Sequence, residues 1–116
     1  MPAAPDTVFG KILRKEIPAQ LVFEDDKCIV IRDIAPKAPV HLLVIPREPL
    51  TNLAEAGPAN HALLGHLLLV AGRVAKQEKI GDAFRIVINN GEAAGQSVQH
   101  LHVHVLGGRT MKWPPG

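Results

Sequence analysis

The sequence predicts an α+β domain, an antiparallel sheet with helix on one face. Two observations carry this. Three strand-like segments follow one another with no helix between them, and the last two are joined by a loop too short for a helical crossover. A third is the single long helical pattern in the middle of the chain. With 116 residues the chain is one domain, covering residues 1–116.

The elements read in order. Residues 1–6, MPAAPD, are expected to be a flexible N-terminus. Asp6 or Thr7 caps a short helix whose apolar spacing is Val8, Phe9, Ile12, Leu13. Pro18 stops that helix from lengthening. Leu21 to Glu24 and Cys28 to Arg32 are strands around a polar turn, Asp25-Asp26-Lys27. Pro36 and Pro39 mark a loop. His41 to Ile45 is a strand of continuous apolarity, stopped by Pro46. Pro58 stands near the first turn of the long helix, where Leu63, Leu67, Val70 and Val74 form the core stripe. Lys76 and Lys79 fall in its last turn, and Gly81 is the expected stop. Phe84 to Asn89 is the fourth strand and Gln99 to Leu106 the fifth, with the small-residue loop 90–97 between them. The tail, residues 107–116, is irregular.

Composition excludes several classes. Lys plus Arg is 13 and Asp plus Glu 11, a balance without the basic excess of a nucleic-acid binder. One cysteine, Cys28, rules out a disulfide framework and a zinc cluster built of cysteines, and it reads as a buried small hydrophobe. No apolar run approaches the ~20 residues that span a bilayer. No basic-then-apolar leader is visible at the start. The expectation is a soluble cytoplasmic protein with no membrane and no nucleic-acid partner.

The unusual feature is local: three of six histidines lie at 100, 102 and 104. On a strand, side chains alternate, so these three imidazoles share one face while Leu101, Val103 and Val105 share the other. Three readings compete: structural histidines, a metal site of the His-x-His kind, and phosphate chemistry in which a neutral imidazole attacks phosphorus. The surroundings favour the third. Gly91 and Gly95 permit a loop of exposed N–H groups that binds anions. Gln96 and Ser97 add neutral donors, and Asn89 ends the strand beside them. His41 is either a fourth imidazole of the site or a core residue. Asp33 is either a turn residue or a carboxylate for ribose hydroxyls. His61 and His66 lie ~140° apart on the long helix and read as surface residues.

The segment His100-Leu101-His102-Val103-His104-Val105-Leu106 resembles the signature of the histidine triad (HIT) family. The likeness extends to Phe9-Gly10-Lys11-Ile12, Arg14 to Ala19, Phe23 to Asp26, His41 to Pro46 and Gly95 to Val98. The ending, Gly107-Gly108-Arg109 through Trp113-Pro114-Pro115-Gly116, is similar to that of the purine nucleoside phosphoramidase branch.

This resemblance implies a homodimer whose two five-stranded sheets join into one of ten strands, with tail 107–116 and Trp113 reaching toward the partner's site. It implies hydrolysis of a P–N bond in adenosine 5′-phosphoramidates and related purine nucleotides, without metal or cofactor. His102 matches the nucleophile that becomes nucleotidylated. His104, Ser97, Asn89, Gly95 and Gln96 match phosphate contacts, with Val103 between the two histidines. Asp33 matches the ribose carboxylate, with Ile34 beside it, and His41 and His100 match supporting positions. Val8, Phe9, Ile12 and Leu43 match the wall of the base pocket. Ile31 and Arg32 depart from the family pattern, where an aromatic residue and a histidine are common, which leaves adenine against guanine open. The alternatives are a dinucleoside polyphosphate hydrolase, a nucleotide-sensing module whose catalysis is incidental, and a metal-binding protein.

Overall fold

The computed structural model describes residues 7–116. The expected flexible segment 1–6, and Asp6 as a cap, lie outside the described residues. Thr7 caps α1 (Val8–Leu13): its Oγ1 accepts the Gly10 N–H at 3.0 Å. The helix ends where Lys15 takes φ 61° and the chain folds back, with the Glu16 N–H donating to the Lys11 carbonyl.

Four strands and a long helix precede the final strand: β1 (Leu21–Glu24), β2 (Cys28–Arg32), β3 (Val40–Pro46), α2 (His61–Gln77), β4 (Phe84–Val87) and β5 (Val103–Gly107). The sheet is antiparallel throughout, in the order β1-β2-β3-β5-β4. Chain order explains this. α2 carries the chain from β3 to the far edge, where β4 forms, and β5 then returns into the gap. β3 and β5 are therefore interior strands, flanked on both sides.

Alternation along the strands makes two cores. Cys28, Val30, Leu42, Val44, Val103 and Val105 face Leu67, Val70, Ala71, Val74 and Ala75 of α2. Ile29, Ile31, Leu43 and Ile45 face the other way, against Phe9 of α1. β3 is apolar at nearly every position because both of its faces are covered. Cys28 is fully buried, and burial pushes its thiol up to about 12. The turn before it is fixed by Asp25, whose Oδ1 accepts the Lys27 and Cys28 N–H groups at 2.8 and 2.9 Å.

Several boundaries differ from expectation: β3 also takes in Val40 and Pro46, and Pro58 opens a short 3-10 turn ahead of α2. α2 ends at Gln77, before Gly81 and Lys79. Lys79 takes φ 64° and its N–H donates to the Lys76 carbonyl, while the Ile80 N–H reaches back to the Ala75 carbonyl. This is a Schellman stop with lysine at the left-handed position. Gly81 serves close approach instead, since a Cβ there would meet Lys76 Cγ at 2.8 Å. β4 stops at Val87 rather than Asn89, and β5 starts at Val103 rather than Gln99. Ahead of Val103 the chain leaves the ladder: the Leu101 N–H donates to the Leu50 carbonyl at 2.7 Å, and the His100 ring binds the Pro46 carbonyl. His100 and His102 therefore precede the strand, and simple strand alternation does not describe all three histidines.

Candidate active site

A cleft of about 350 Å³ opens on the α1 side of the sheet. Its chemical end holds Ser97, His102, His104 and Asp33; its remaining wall is apolar apart from Arg32. Phe9 stands edge-on to His102, ring centroids 4.9 Å apart, and His102 is 5.0 Å from His104. His41 stacks behind His104 at 5.1 Å.

Hydrogen bonds fix where the ring protons sit. His102 Nδ1 lies 2.8 Å from the His100 carbonyl, which only accepts, so Nδ1 carries the proton. Nε2 is then left with a free lone pair. His41 Nδ1 accepts the Lys37 N–H at 3.0 Å, so the proton of neutral His41 is on Nε2. That proton points to His104 Nδ1 at 2.9 Å, with Asp33 Oδ2 further off at 3.4 Å. His104 Nδ1 is thus an acceptor, and its Nε2–H is a donor. The cleft therefore offers one imidazole lone pair and, on its neighbour, one imidazole N–H.

Burial keeps these rings neutral. It lowers His102 and His41 below the ordinary histidine value, against the opposing pull of the His100 carbonyl and of Asp33. His104 is lowered furthest, to about 4, by burial and then by the neighbouring His102 and His41. His100 is lowered by burial as well.

The other expected residues divide clearly. Ile12, Leu43 and Phe9 form the apolar wall, with Val8 and the fully exposed Ile34 at its rim. Asp33 is oriented by the Ala35 N–H, which donates to Oδ1 at 2.8 Å. His100 stands outside the cleft: it is buried and gives its Nε2–H to Pro46, and it serves the site through its carbonyl. The side chain of Val103 packs in the α2 core, away from the cleft. The open anion nest does not form from Gly91, Gly95 and Gln96. Their N–H groups are spent on Gln96 Oε1, the Glu92 carbonyl and the Gly91 carbonyl. Gln96 is buried, and its amide bridges Thr51 and Val98. Among the described residues Asn89 reaches only the Gly95 carbonyl, at 3.5 Å. Trp113 is exposed and lies against the Arg85 guanidinium.

Ile31 and Arg32 both line the cleft, but their side chains end in different places. Ile31 lines the cleft, so the wall there is aliphatic where the family pattern favours an aromatic ring. Arg32 sends its guanidinium to Glu78 at the end of α2, 2.8 Å away. Sequence reasoning missed Ile17, Pro18 and Ala19, which complete the wall. Apolar loop residues carry no chemical signature, and only the rigidity of Pro18 hinted at a fixed position. It also missed His66, whose Nε2 pairs with Asp25 Oδ2 at 2.8 Å.

Asp33, His41 and His104 bring ligand atoms within 4.8 Å of one another, a spread that a single metal ion can bridge. The 2.9 Å between His41 and His104 is nevertheless a hydrogen-bond length. Two imidazoles on a tetrahedral ion at ~2.0–2.1 Å would stand further apart. In this arrangement the two rings hold a shared proton.

Fold and site define a class of protein: a small α+β domain with neutral imidazoles at one end of an apolar cleft. The HIT domain model matches residues 14–111, and the chain belongs to that family. An uncharacterised HIT-like protein of Synechococcus elongatus is 59% identical over 111 residues, covering 96% of this chain and 97% of that one. A protein of Brassica juncea named as a 14 kDa zinc-binding protein is 55% identical over 113 residues, covering 96% of this chain and 100% of that one. A HIT family hydrolase from Legionella pneumophila superposes with a TM-score of 0.93 at 41% identity, over 96% of this chain and 100% of its own. One from Clostridium thermocellum gives 0.91 at 40%, over 95% and 96%. The domain is thus of the HIT hydrolase type.

Proposed function

We propose that the protein hydrolyses purine nucleoside 5′-phosphoramidates, through a nucleotide held covalently on His102. One observation carries this reading: His102 Nδ1 is committed to the His100 carbonyl, which leaves Nε2 as the nitrogen free to attack. The apolar wall suits a base, and Asp33 at the cleft edge suits ribose hydroxyls.

The steps follow from the tautomers. His102 Nε2 attacks phosphorus, an N–P bond forms and the substrate's P–N bond breaks. The departing nitrogen takes one proton to leave as an amine. That proton comes from solvent, relayed through the Ser97 hydroxyl or the His104 ring at that end of the cleft, so neither is left as an anion. The nucleotidylated ring is cationic, and the His100 carbonyl facing its Nδ1–H offsets that charge. Water then attacks phosphorus, the N–P bond breaks, and His102 recovers its lone pair. The products are a nucleoside monophosphate and an amine.

Arg32 lines the wall, but its guanidinium is engaged by Glu78, which leaves no uncommitted cationic or amide side chain of the described wall to read the base edge and supports tolerance between adenine and guanine. The same reading takes the protein to be a cytoplasmic homodimer. β4 and β1 are the sheet edges, and joining two copies along one edge would continue the sheet. No described helix is long and apolar enough to cross a membrane.

The test is peptide mapping of enzyme quenched during turnover of a purine phosphoramidate. Nucleotide on the His102 peptide supports the reading, and label on His100 or His104 overturns it. Comparing AMP-lysine with diadenosine polyphosphates in the same assay separates phosphoramidase from polyphosphate hydrolase. Nucleotide binding with no turnover of either would mark a sensing module.

A further inference from the structure

On the sheet face opposite the cleft, three segments bring a carboxylate, a thiol and an imidazole together. Asp25 lies in the β1–β2 turn, Cys28 opens β2, and His66 sits in the second turn of α2. Asp25 Oδ2, Cys28 Sγ and a His66 ring nitrogen all fall within 4.8 Å of one another. We propose that Asp25, Cys28 and His66 form a second site, one that binds a zinc-class divalent cation and ties the hairpin to α2.

The donor set selects the ion. Thiolate and imidazole with one carboxylate suit zinc and its soft neighbours, and disfavour magnesium and calcium, which take oxygen ligands. Three protein ligands with an open fourth position make a zinc geometry completed by water. Spacing fits as well, because ligands bonded at ~2.0–2.3 Å to one centre lie no more than ~4.6 Å apart. Asp25 Oδ2 and His66 Nε2, now 2.8 Å apart in a hydrogen bond, part slightly on binding, and Cys28 Sγ closes on both.

The carboxylate is oriented in advance. Asp25 Oδ1 is held by the N–H groups of Lys27 and Cys28, which turns Oδ2 toward His66. An ion entering between them replaces the Asp25–His66 hydrogen bond with two metal bonds. The Cys28 thiol loses its proton to solvent as the sulfur–metal bond forms. Entry is from an open cavity of about 520 Å³ that His66 lines together with Asp26, Lys27, Arg47 and Glu48. The Arg47 charge is drawn aside by Glu24, whose Oε2 accepts from Nη2 at 2.9 Å. Cys28 belongs to the α2 core and the cleft to the α1 side, so a bound ion leaves His102 and His104 untouched.

The test uses the full chain, stripped with chelator and titrated with zinc chloride or with cobalt(II). The expected result is one zinc per chain, a higher melting temperature, and a near-ultraviolet thiolate-to-cobalt absorption band. Cys28→Ser abolishes that band. His66→Gln, at a half-buried position outside the cleft, weakens zinc binding at least about tenfold while phosphoramidate turnover continues. His41→Ala, which breaks the other donor cluster, leaves zinc affinity unchanged. No retained zinc, a missing cobalt–thiolate band in the wild type, full affinity in His66→Gln, or loss of zinc in His41→Ala would each overturn the proposal.

Discussion

His41 on β3 and His104 on β5 share one proton across 2.9 Å, from Nε2 of the first to Nδ1 of the second. The strand register sets this up. Leu43 stands opposite His104 and Leu106 opposite His41, so the two histidines are diagonal neighbours on one face. His104 thereby presents its Nε2–H to the cleft without being charged.

Removing His41 tests that arrangement. His41→Ala leaves the His104 Nδ1 without its donor and lets the ring turn or change tautomer. A lost buried hydrogen bond of this kind costs about 1–3 kcal/mol, so kcat should fall about 5- to 150-fold. KM should move much less, because His41 stands behind His104. Steady-state kinetics that show the loss wholly in KM would assign His41 to binding instead.

His102→Ala removes the attacking nitrogen. Expected is loss of the covalent species and a drop of at least about a thousandfold in kcat, with nucleoside monophosphate still bound. His100→Ala acts differently, because its carbonyl, the group that orients His102, survives the change. Its ring is buried against Pro46, so the larger effect should be on melting temperature rather than kcat. Parallel thermal unfolding and kinetics on the two variants check this.

Ser97 is the exposed hydroxyl at the chemical end of the cleft. A donor used only in the transition state is worth about 1.5–3 kcal/mol. Ser97→Ala should lower kcat/KM by about one to two orders of magnitude. An unchanged value would leave His104 as the sole donor.

The lowered histidines give acid sensitivity a definite sign. Between the unfolded value of 6.5 and about 4, the unfolded chain binds a proton at position 104 that the folded chain refuses. Stability is therefore lost as pH falls through that window. Asp25 continues the loss at lower pH. Burial alone would raise its carboxyl, but the backbone N–H groups of Lys27 and Cys28, with His66, outweigh that cost and depress it from 3.8 to about 2. Chemical denaturation from pH 8 to pH 4 should show a falling midpoint that begins near pH 6.5. His104→Asn should flatten its upper part.

Lys79 occupies a left-handed position at φ 64°. Side chains there cost roughly 1 kcal/mol, which glycine does not incur. Lys79→Gly should raise the melting temperature by a few degrees with unchanged kinetics. A lowered melting temperature would mean that the lysine side chain contributes more than its backbone strain costs.

Much of this was legible because it rests on local patterns. The cap at Thr7, the 25–27 turn and the core stripe of α2 each depend on neighbours in the chain. The five strands and their antiparallel pairing followed from segment order. What escaped depends on contacts distant in sequence. The Leu101 N–H goes to Leu50, and that shortens β5. Gln96 looked like a free donor, yet it is sealed inside by Thr51, and no local pattern announces that partner. The histidine pattern points to the cleft, but strand alternation is only part of the reason. His102 and His104 do meet at the cleft, but His100 contributes a backbone carbonyl instead of a ring.

The interior place of β3 and β5 has a consequence for how ligand binding can be observed. Amides along 103–107 are locked in ladders on both sides and should exchange with deuterium only on global unfolding. Residues 97–99, by contrast, sit in an irregular segment outside the sheet. Deuterium should enter there within seconds to minutes, well before the strands. A bound nucleotide would then leave its footprint on this short segment, against a strand background that stays dark and serves as an internal clock.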